Sequence, residues 1–308
     1  MDKVICLDHT FSTTKMLIQE KPRLDNKSTD QFDSVLFLPK GSERKGEGGL
    51  RTKGYFKRSY GDKPLISIIT VVFNGEKHLE QTIQSVINQN YDNVEYIIID
   101  GGSTDGTIEI VKKYEDQIDY WVSEKDRGIY DAMNKGLSLV SGDLVGFINA
   151  DDFYNTHAIK KSIARLLESG ADYAIGSVKK IPSGKEVLPT YPLNLKIYQG
   201  MMYPHIGAII KKRVYKKVGL FDTQYKISAD FDMAMRIHLK GFRAVHVQDI
   251  IGDVLEGGIS AGNATKRENK EIAIKYGRNR IWANILYVQY RLKELIVKLL
   301  IKHGQIKI

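Results

Sequence analysis

With a single cysteine, Cys6, in 308 residues, the chain has no internal disulfide and no multi-cysteine metal site, and a reducing compartment is expected. No stretch reaches the roughly 18 uncharged apolar residues of a membrane-spanning helix. The first 17 residues carry charged and polar groups where a signal peptide would be apolar. The chain is therefore expected to be neither exported nor membrane-spanning. Neither G-x-G-x-x-G nor G-x-x-x-x-G-K-[ST] occurs, which argues against a dinucleotide-dependent dehydrogenase and a P-loop NTPase. Internal repeats and long low-complexity tracts are also missing.

The composition is that of a folded protein: hydrophobic residues make up 42% and charged residues 27%, which excludes a disordered chain. At roughly 150 residues per domain the length suggests about two structural units. The net charge of +9 is unevenly placed. Residues 266–308 hold eleven Lys/Arg against three Asp/Glu, a net of +8, and the other 265 residues carry +1. The positive charge belongs to the tail and says little about the body of the protein.

Three regions differ in texture. Residues 1–60 form an N-terminal extension of mixed polarity and open role, with Ser34–Leu38 as a candidate short strand and Lys40–Gly49 showing turn and linker chemistry. Over residues 64–262, strand-like and helix-like segments alternate. Leu65–Phe73 is a continuous apolar, β-branched run, as expected of a strand buried on both faces. Strands are expected over 94–99, 120–122, 144–148 and 173–178. Helical spacing is expected near 79–87, from about 103 to 114 with Ser103 or Thr104 as N-cap, and over 130–140 and 158–167. This alternation predicts an α/β fold with a mostly parallel central sheet flanked by helices. In such sheets ligands bind outside the carboxyl ends of the strands.

Polar or glycine-rich sequence follows three of these strands: Asn74-Gly75, Asp100–Gly106, and Asn149-Ala150-Asp151-Asp152. Two adjacent carboxylates repel unless a cation or protons sit between them. Oxygen-only donors suit Mg2+ or Mn2+, which hold diphosphates through one or two carboxylates. The alternative is that Asp151 or Asp152 caps the helix that follows. The Asp100–Gly106 loop admits close backbone approach to a ligand, or is simply a tight turn with a cap.

The ordered segments I-S-I-I-T-V-V-F-N-G, I-I-I-D-G-G-S-T-D-G-T, D-R-G-I-Y-D-A-M-N-K-G, F-I-N-A-D-D and S-A-D-F-D-M-A-M-R resemble the family 2 glycosyltransferases of GT-A fold, over residues 64–260. The resemblance implies an inverting, non-processive enzyme of surface-polysaccharide type. Such an enzyme moves one sugar from a nucleotide diphosphate donor, a UDP-sugar by preference, to a hydroxyl of a saccharide acceptor. It implies that Thr70, Val72 and Asn74 line the nucleoside and that Asp100 helps hold base and ribose. Arg127 and Asp131 would close over the donor, although an Arg in a charged turn also suits solvent. Asn149, Asp151 and Asp152 match the metal and donor motif, with Mn2+ or Mg2+ held by Asp151 and Asp152. Asp230 matches the catalytic base, with Arg236 six residues on; the alternative is that Asp230 and Asp232 are first-turn acids favoured by the helix dipole. His205, in Pro204-His205, and Gly258 and Ser260, in G-G-I-S, are candidate acceptor or phosphate contacts, each with a plain loop as its alternative.

The sequence departs from the family pattern in places. The metal motif opens with Asn149, which offers a carbonyl oxygen and no charge, and the second acid of D-D-G-S is Gly101. The Q-x-x-R-W signature of processive synthases is missing around Trp121 and Trp282, which argues against a polymer-extruding synthase. Two other functions share parts of this pattern. A sugar-phosphate nucleotidylyltransferase has a similar sheet, but F-N-G-E-K is a poor version of its phosphate loop. A non-catalytic nucleotide-sugar-binding module has no need of Asp230.

Residues 265–308 read as a basic amphipathic helical tail. Ile281, Ile285, Val288, Leu292, Leu295 and Leu299 fall at helical spacing with Arg291, Lys293, Lys298 and Lys302 interleaved. Such a helix suits an anionic membrane surface, or alternatively the catalytic domain or a second copy. The expected location is the cytoplasm, at the inner face of the membrane, with a polyprenyl-diphosphate-linked acceptor giving that location a purpose. No nucleic-acid partner is expected, and the oligomeric state is open.

Overall fold

The computed structural model describes residues 3–187, 203–256, 263–285, 287–289 and 292. Its centre is a mixed ten-stranded sheet flanked by helices on both faces. Strands β2 (Ile66–Val72), β3 (Val94–Asp100), β4 (Tyr120–Glu124) and β5 (Leu144–Asn149) form a parallel block in the order β4-β3-β2-β5. Every residue of β2 and β3 is buried. Because side chains alternate between faces, a strand covered on both sides must be apolar at nearly every position. Ile68 and Val72 accordingly join the core formed with α1 (Leu79–Ile87) and α4 (Ala158–Ser169). Ile69 and Val71 join the core with α3 (Ile129–Ser138), α5 (Lys212–Val218) and α6 (Ala229–Leu239).

Beyond β5 the sheet changes direction. Strand β9 (Ala208–Lys211) lies antiparallel between β5 and β7 (Tyr173–Ile181). Strand β10 (Ala244–Leu255) runs parallel to β7, and β6 (Asp152–Tyr154) and β8 (Glu186–Val187) add antiparallel pairings to β10 and β7. Helix α7 (Asn263–Lys275) packs on α6, and residues 280–285 and 287–289 are helical. No helix among the described residues is long and apolar enough to cross a membrane.

Three local expectations need correction. Ser34–Leu38 is not a strand. Val35, Phe37 and Leu38 pack against the core as side chains, with the Phe37 ring edge-on to Tyr120 at 5.5 Å. The linker-like glycines at 46 and 48 belong instead to β1 (Arg44–Gly48), which pairs antiparallel with β4 and covers its edge. A Cβ at either glycine would press on the Trp121 ring, so these glycines permit close approach. Finally, α2 (Thr107–Lys113) begins later than Ser103 or Thr104 would allow: the Asp105 carboxylate accepts the Thr107 amide at 3.1 Å, while Ser103 is engaged elsewhere.

The N-terminal extension is bound to the sheet by two buried ion pairs, Arg51–Glu95 and Lys57–Asp119, each at 2.6 Å. Burial alone would push Glu95 up, but Arg51 and the hydroxyls of Ser141 and Ser67 hold it down at about 2. Burial pushes Asp119 up to about 6 and Lys57 down, against their mutual attraction.

Candidate active site

The parallel register brings three strand ends level: Val72 pairs with Asp100, and Val71 with Asn149. The loops that follow are stitched together. Asn74, in the left-handed region at φ 52°, receives the Thr104 amide on Oδ1 at 2.9 Å and donates its own amide to Ser103 Oγ at 2.7 Å. Asparagine tolerates this conformation better than most residues. The Gly75 amide donates to Thr107 Oγ1 at 2.9 Å.

Asp100 is buried within its loop. Its carboxylate accepts the amides of Gly102 and Ser103 at 3.0 Å each and the hydroxyls of Ser123 (2.6 Å) and Ser103. Four donors on one carboxylate make Asp100 the anchor of the loop. Thr70 is fully buried, its hydroxyl 2.9 Å from that of Tyr96, and Val72 is buried beside it, so neither reaches the open surface of the crevice. Phe73, just after β2, is 65% exposed. A side chain at Gly101 would run into the Asp126 carboxylate, so Asp126 occupies the space left by the missing acid of D-D-G-S. Burial raises Asp126 above the usual carboxylate range. Arg127 lies 83% exposed and pairs with Asp131 at 2.7 Å. From the N-terminal extension, Lys45 Nζ donates to the carbonyls of Gly102 (2.7 Å) and Ser103 (3.0 Å).

At the end of β5, Asp152 is buried at the head of β6 and accepts Asn149 Nδ2 at 3.1 Å. Burial, then the charge of Asp151, pushes Asp152 up to about 7. Asp151 is half-buried, and Asn149 Oδ1 is buried with no hydrogen-bond partner among the described residues. An orphaned amide oxygen two residues from a carboxylate fits a hard divalent ion. No group of three or more His, Cys, Asp or Glu fit to hold a metal occurs among the described residues, so phosphate oxygens and water would complete the shell.

Phe147 precedes Asn149 by two on β5, so the two project on one face of the sheet. On that face Phe147 lines a small cavity together with Tyr203, His205, Phe221 and Asp230. Asp230 sits in the first turn of α6 and accepts the Phe231 amide at 2.8 Å. The Tyr130 hydroxyl donates to Ile227 O at 2.6 Å and to Asp230 Oδ1 at 3.2 Å. Burial pushes Asp230 up to about 6, against the Phe231 amide and Tyr130. The His205 ring is tilted at 40° against Phe147 with centroids 5.1 Å apart, its Nε2 is buried without a partner among the described residues, and burial pushes its pKa down to about 4. It is therefore neutral at physiological pH.

Asp232, two residues beyond Asp230, is differently used: Arg236 Nε (2.8 Å), Lys275 Nζ (2.9 Å) and the Tyr276 hydroxyl (2.8 Å) all donate to it. Gly258 and Ser260 lie outside the described residues. Sequence reasoning missed Tyr130, Phe73, Asp126 and Lys45 as neighbours of the crevice. Phe73 carried a signal, as the aromatic that ends an apolar run; Lys45 carried none.

Comparison with known proteins follows the same lines. The model of glycosyl transferase family 2 matches residues 67–227. An uncharacterized glycosyltransferase of Mycobacterium tuberculosis is 30% identical over 197 residues, covering 57% of this chain and 70% of the relative. Among solved structures, residues 1–349 of S. aureus TarS in complex with UDP superpose with a TM-score of 0.57 at 18% identity, covering 73% of this chain and 70% of that one. The mannosyltransferase PcManGT of Pyrobaculum calidifontis, in complex with GDP-Man and Mn2+, gives a TM-score of 0.55 at 20% identity, covering 70% and 63%. At these identities the structural likeness concerns the fold, which is of GT-A type. Another S. aureus TarS structure is of a longer chain, of which this chain covers 41%.

Proposed function

The chain belongs to glycosyl transferase family 2, and on that premise we propose that it moves one sugar, with inversion, from a UDP-sugar to a hydroxyl of a saccharide acceptor in polysaccharide assembly. The observation that carries this reading is Asp230: a carboxylate raised to about 6, lining a cavity on the same face of the sheet as Asn149. A base poised near the working pH is what the acceptor alcohol requires, because that alcohol is far too weak an acid to ionise unaided. In this mechanism Asp230 takes the hydroxyl proton as the acceptor oxygen bonds to the anomeric carbon. The bond from that carbon to the diphosphate oxygen breaks on the opposite side, which inverts the centre. Neutral His205, on the same cavity, would orient the acceptor hydroxyl without competing for its proton.

On the donor side, Phe73 offers a face for the nucleobase, and Asn74 and the loop anchored by Asp100 form the floor. Asp126 stands beside that floor, where residue 101 has no side chain. Asp151 and Asn149, backed by Asp152, would hold Mn2+ or Mg2+. When bound, such an ion supplies Lewis-acid stabilisation of the leaving diphosphate. Arg127 would have to leave Asp131 to reach a diphosphate. Arg127 lies in open solvent, where screening keeps such a pair weak.

The tail supports a peripheral membrane role. Ile281, Ile285, Val288 and Leu292 are all exposed and recur on one helical face. Docking this face on an anionic leaflet would bring the crevice to a polyprenyl-diphosphate-linked acceptor. A panel of nucleotide-sugars, assayed for nucleotide release with and without Mn2+, tests the donor and the ion together. Absence of turnover and of any thermal shift across UDP-, GDP- and dTDP-sugars overturns the reading.

A further inference from the structure

We propose that Glu268 on α7 is a positioning residue for the general base, an inference that rests on Asp230 filling that role. Glu268 is 8% exposed. Its Oε1 accepts the amide of Lys226 at 2.9 Å, and its Oε2 accepts the amides of Ile227 at 3.0 Å and Ser228 at 2.9 Å. These three consecutive amides lead directly into α6. Ser228, at the N-cap position, makes no side-chain cap bond, and its hydroxyl is buried without a partner among the described residues. The cap comes instead from another helix, as a carboxylate making three charge-assisted bonds of the strong kind.

The effect reaches Asp230 by a short path. Glu268 fixes the amide of Ile227, the carbonyl of Ile227 receives the Tyr130 hydroxyl, and that hydroxyl also touches Asp230. A second hold lies seven residues along, where Lys275 at the end of α7 and Tyr276 just beyond it grip Asp232. Seven residues are close to two helical turns, so both holds fall on one face of α7. Asp230 lies between them in sequence, on a turn that α7 grips before and after. Helix α7 is outside residues 67–227, so the clamp is built from chain beyond the matched family segment. The reason to clamp a base is geometric: a misplacement of about 1 Å can lower a rate on the order of 100-fold. The titratable groups around Asp230 are Tyr130 from α3, Glu268 from α7, Tyr215 from α5, and Tyr203 and His205 from the segment before β9.

The test is Glu268→Gln in the full chain, alongside Asp230→Asn. Glutamine keeps the size but offers one carbonyl oxygen to three amides and turns an NH2 group towards one of them. Three results are expected: amide hydrogen exchange at residues 226–228 accelerates at least about tenfold, kcat for nucleotide release from UDP-, GDP- or dTDP-sugars falls about tenfold or more with donor KM within about twofold, and the acid limb of the rate moves to lower pH. A purely structural loss would move stability but not that limb. Unchanged exchange, or unchanged kcat and acid limb, overturns the clamp while leaving Asp230 intact as the base. Full turnover by Asp230→Asn overturns the base assignment, and the exchange result still decides whether Glu268 holds the loop. If Glu268→Gln does not fold, Tyr130→Phe removes only the last link: the clamp requires kcat to fall with KM steady, and wild-type kcat sinks it.

Discussion

Tyr130 and Asp230, one hundred residues apart in sequence, share a hydrogen bond of 3.2 Å, and the same phenol holds Ile227 O at 2.6 Å. This joins the head of α3, just after Arg127, to the head of α6. The segment that carries Arg127 and the carboxylate of Asp230 thereby meet at one corner. The phenol is itself buried, and a buried hydroxyl is stable only with a partner.

Asp230→Asn keeps the shape of the corner and removes the proposed base. Transfer should fall by roughly 10²–10⁴-fold while nucleotide binding, read by calorimetry, stays within about twofold. Wild-type turnover by this variant would show that Asp230 is not the base.

The rate should follow the ionisation of Asp230. Below about pH 6 the carboxylate is protonated and cannot accept the hydroxyl proton, so log kcat should drop one unit per pH unit on the acid side. Stability has the opposite sign. The folded-state pKa is raised, so the favourable contribution of protonated Asp230 is full below about pH 4 and is lost as pH rises through about 6. Asp230→Asn should therefore be more stable than wild type at pH 7.5, by on the order of 1–3 kcal/mol, and equal to it at pH 4. Thermal scans at the two pH values measure this directly.

Asp151→Ala removes the half-exposed carboxylate at the end of β5. Calorimetric titration should show that Mn2+ tightens nucleotide binding to wild type and no longer does so in the variant. EDTA should reduce wild-type turnover and leave the variant's residual rate unchanged. Equal enhancement by Mn2+ in both proteins would place the ion elsewhere.

Arg51→Met strands Glu95 as an unpaired buried charge and loosens the N-terminal extension. A loss of about 3–5 kcal/mol is expected, seen as a lower urea midpoint at pH 7. Adding Glu95→Gln should recover part of it, since the uncompensated carboxylate is the main penalty.

Replacing Ile285 and Val288 by Glu places charge in the exposed apolar stripe. Flotation with vesicles containing anionic lipid at low salt should capture wild type and lose the double variant, while nucleotide binding is unchanged. Capture of neither protein would remove the membrane role.

Much of the fold was legible because it follows from local pattern. β2 reads as a buried strand from its continuous apolar, β-branched run, β3 as a second buried strand, and α1 from the helical spacing of Leu79, Ile83, Val86 and Ile87. β1 was not legible: its glycines look like a linker, and only the Trp121 ring and the open edge of β4 explain them. The strand-end acids were legible as a set, but their division of labour was not. Asp100 and Asp152 are internal anchors, whereas Asp126 faces the space above Gly101. Asp230 and Asp232 look alike in sequence; one lines a cavity, and the other is bound by Arg236, Lys275 and Tyr276.

By itself the sequence determined the alternation of strands and helices, the polar groups at the strand ends and the basic character of the tail, because apolar periodicity and turn chemistry are properties of neighbouring residues. Only the tertiary structure decided which acids are buried, which are anchored and which stand beside an orphaned amide or a neutral histidine. Those are matters of desolvation and of partners up to a hundred residues away, and they are set when the sheet closes and α7 grips the start of α6.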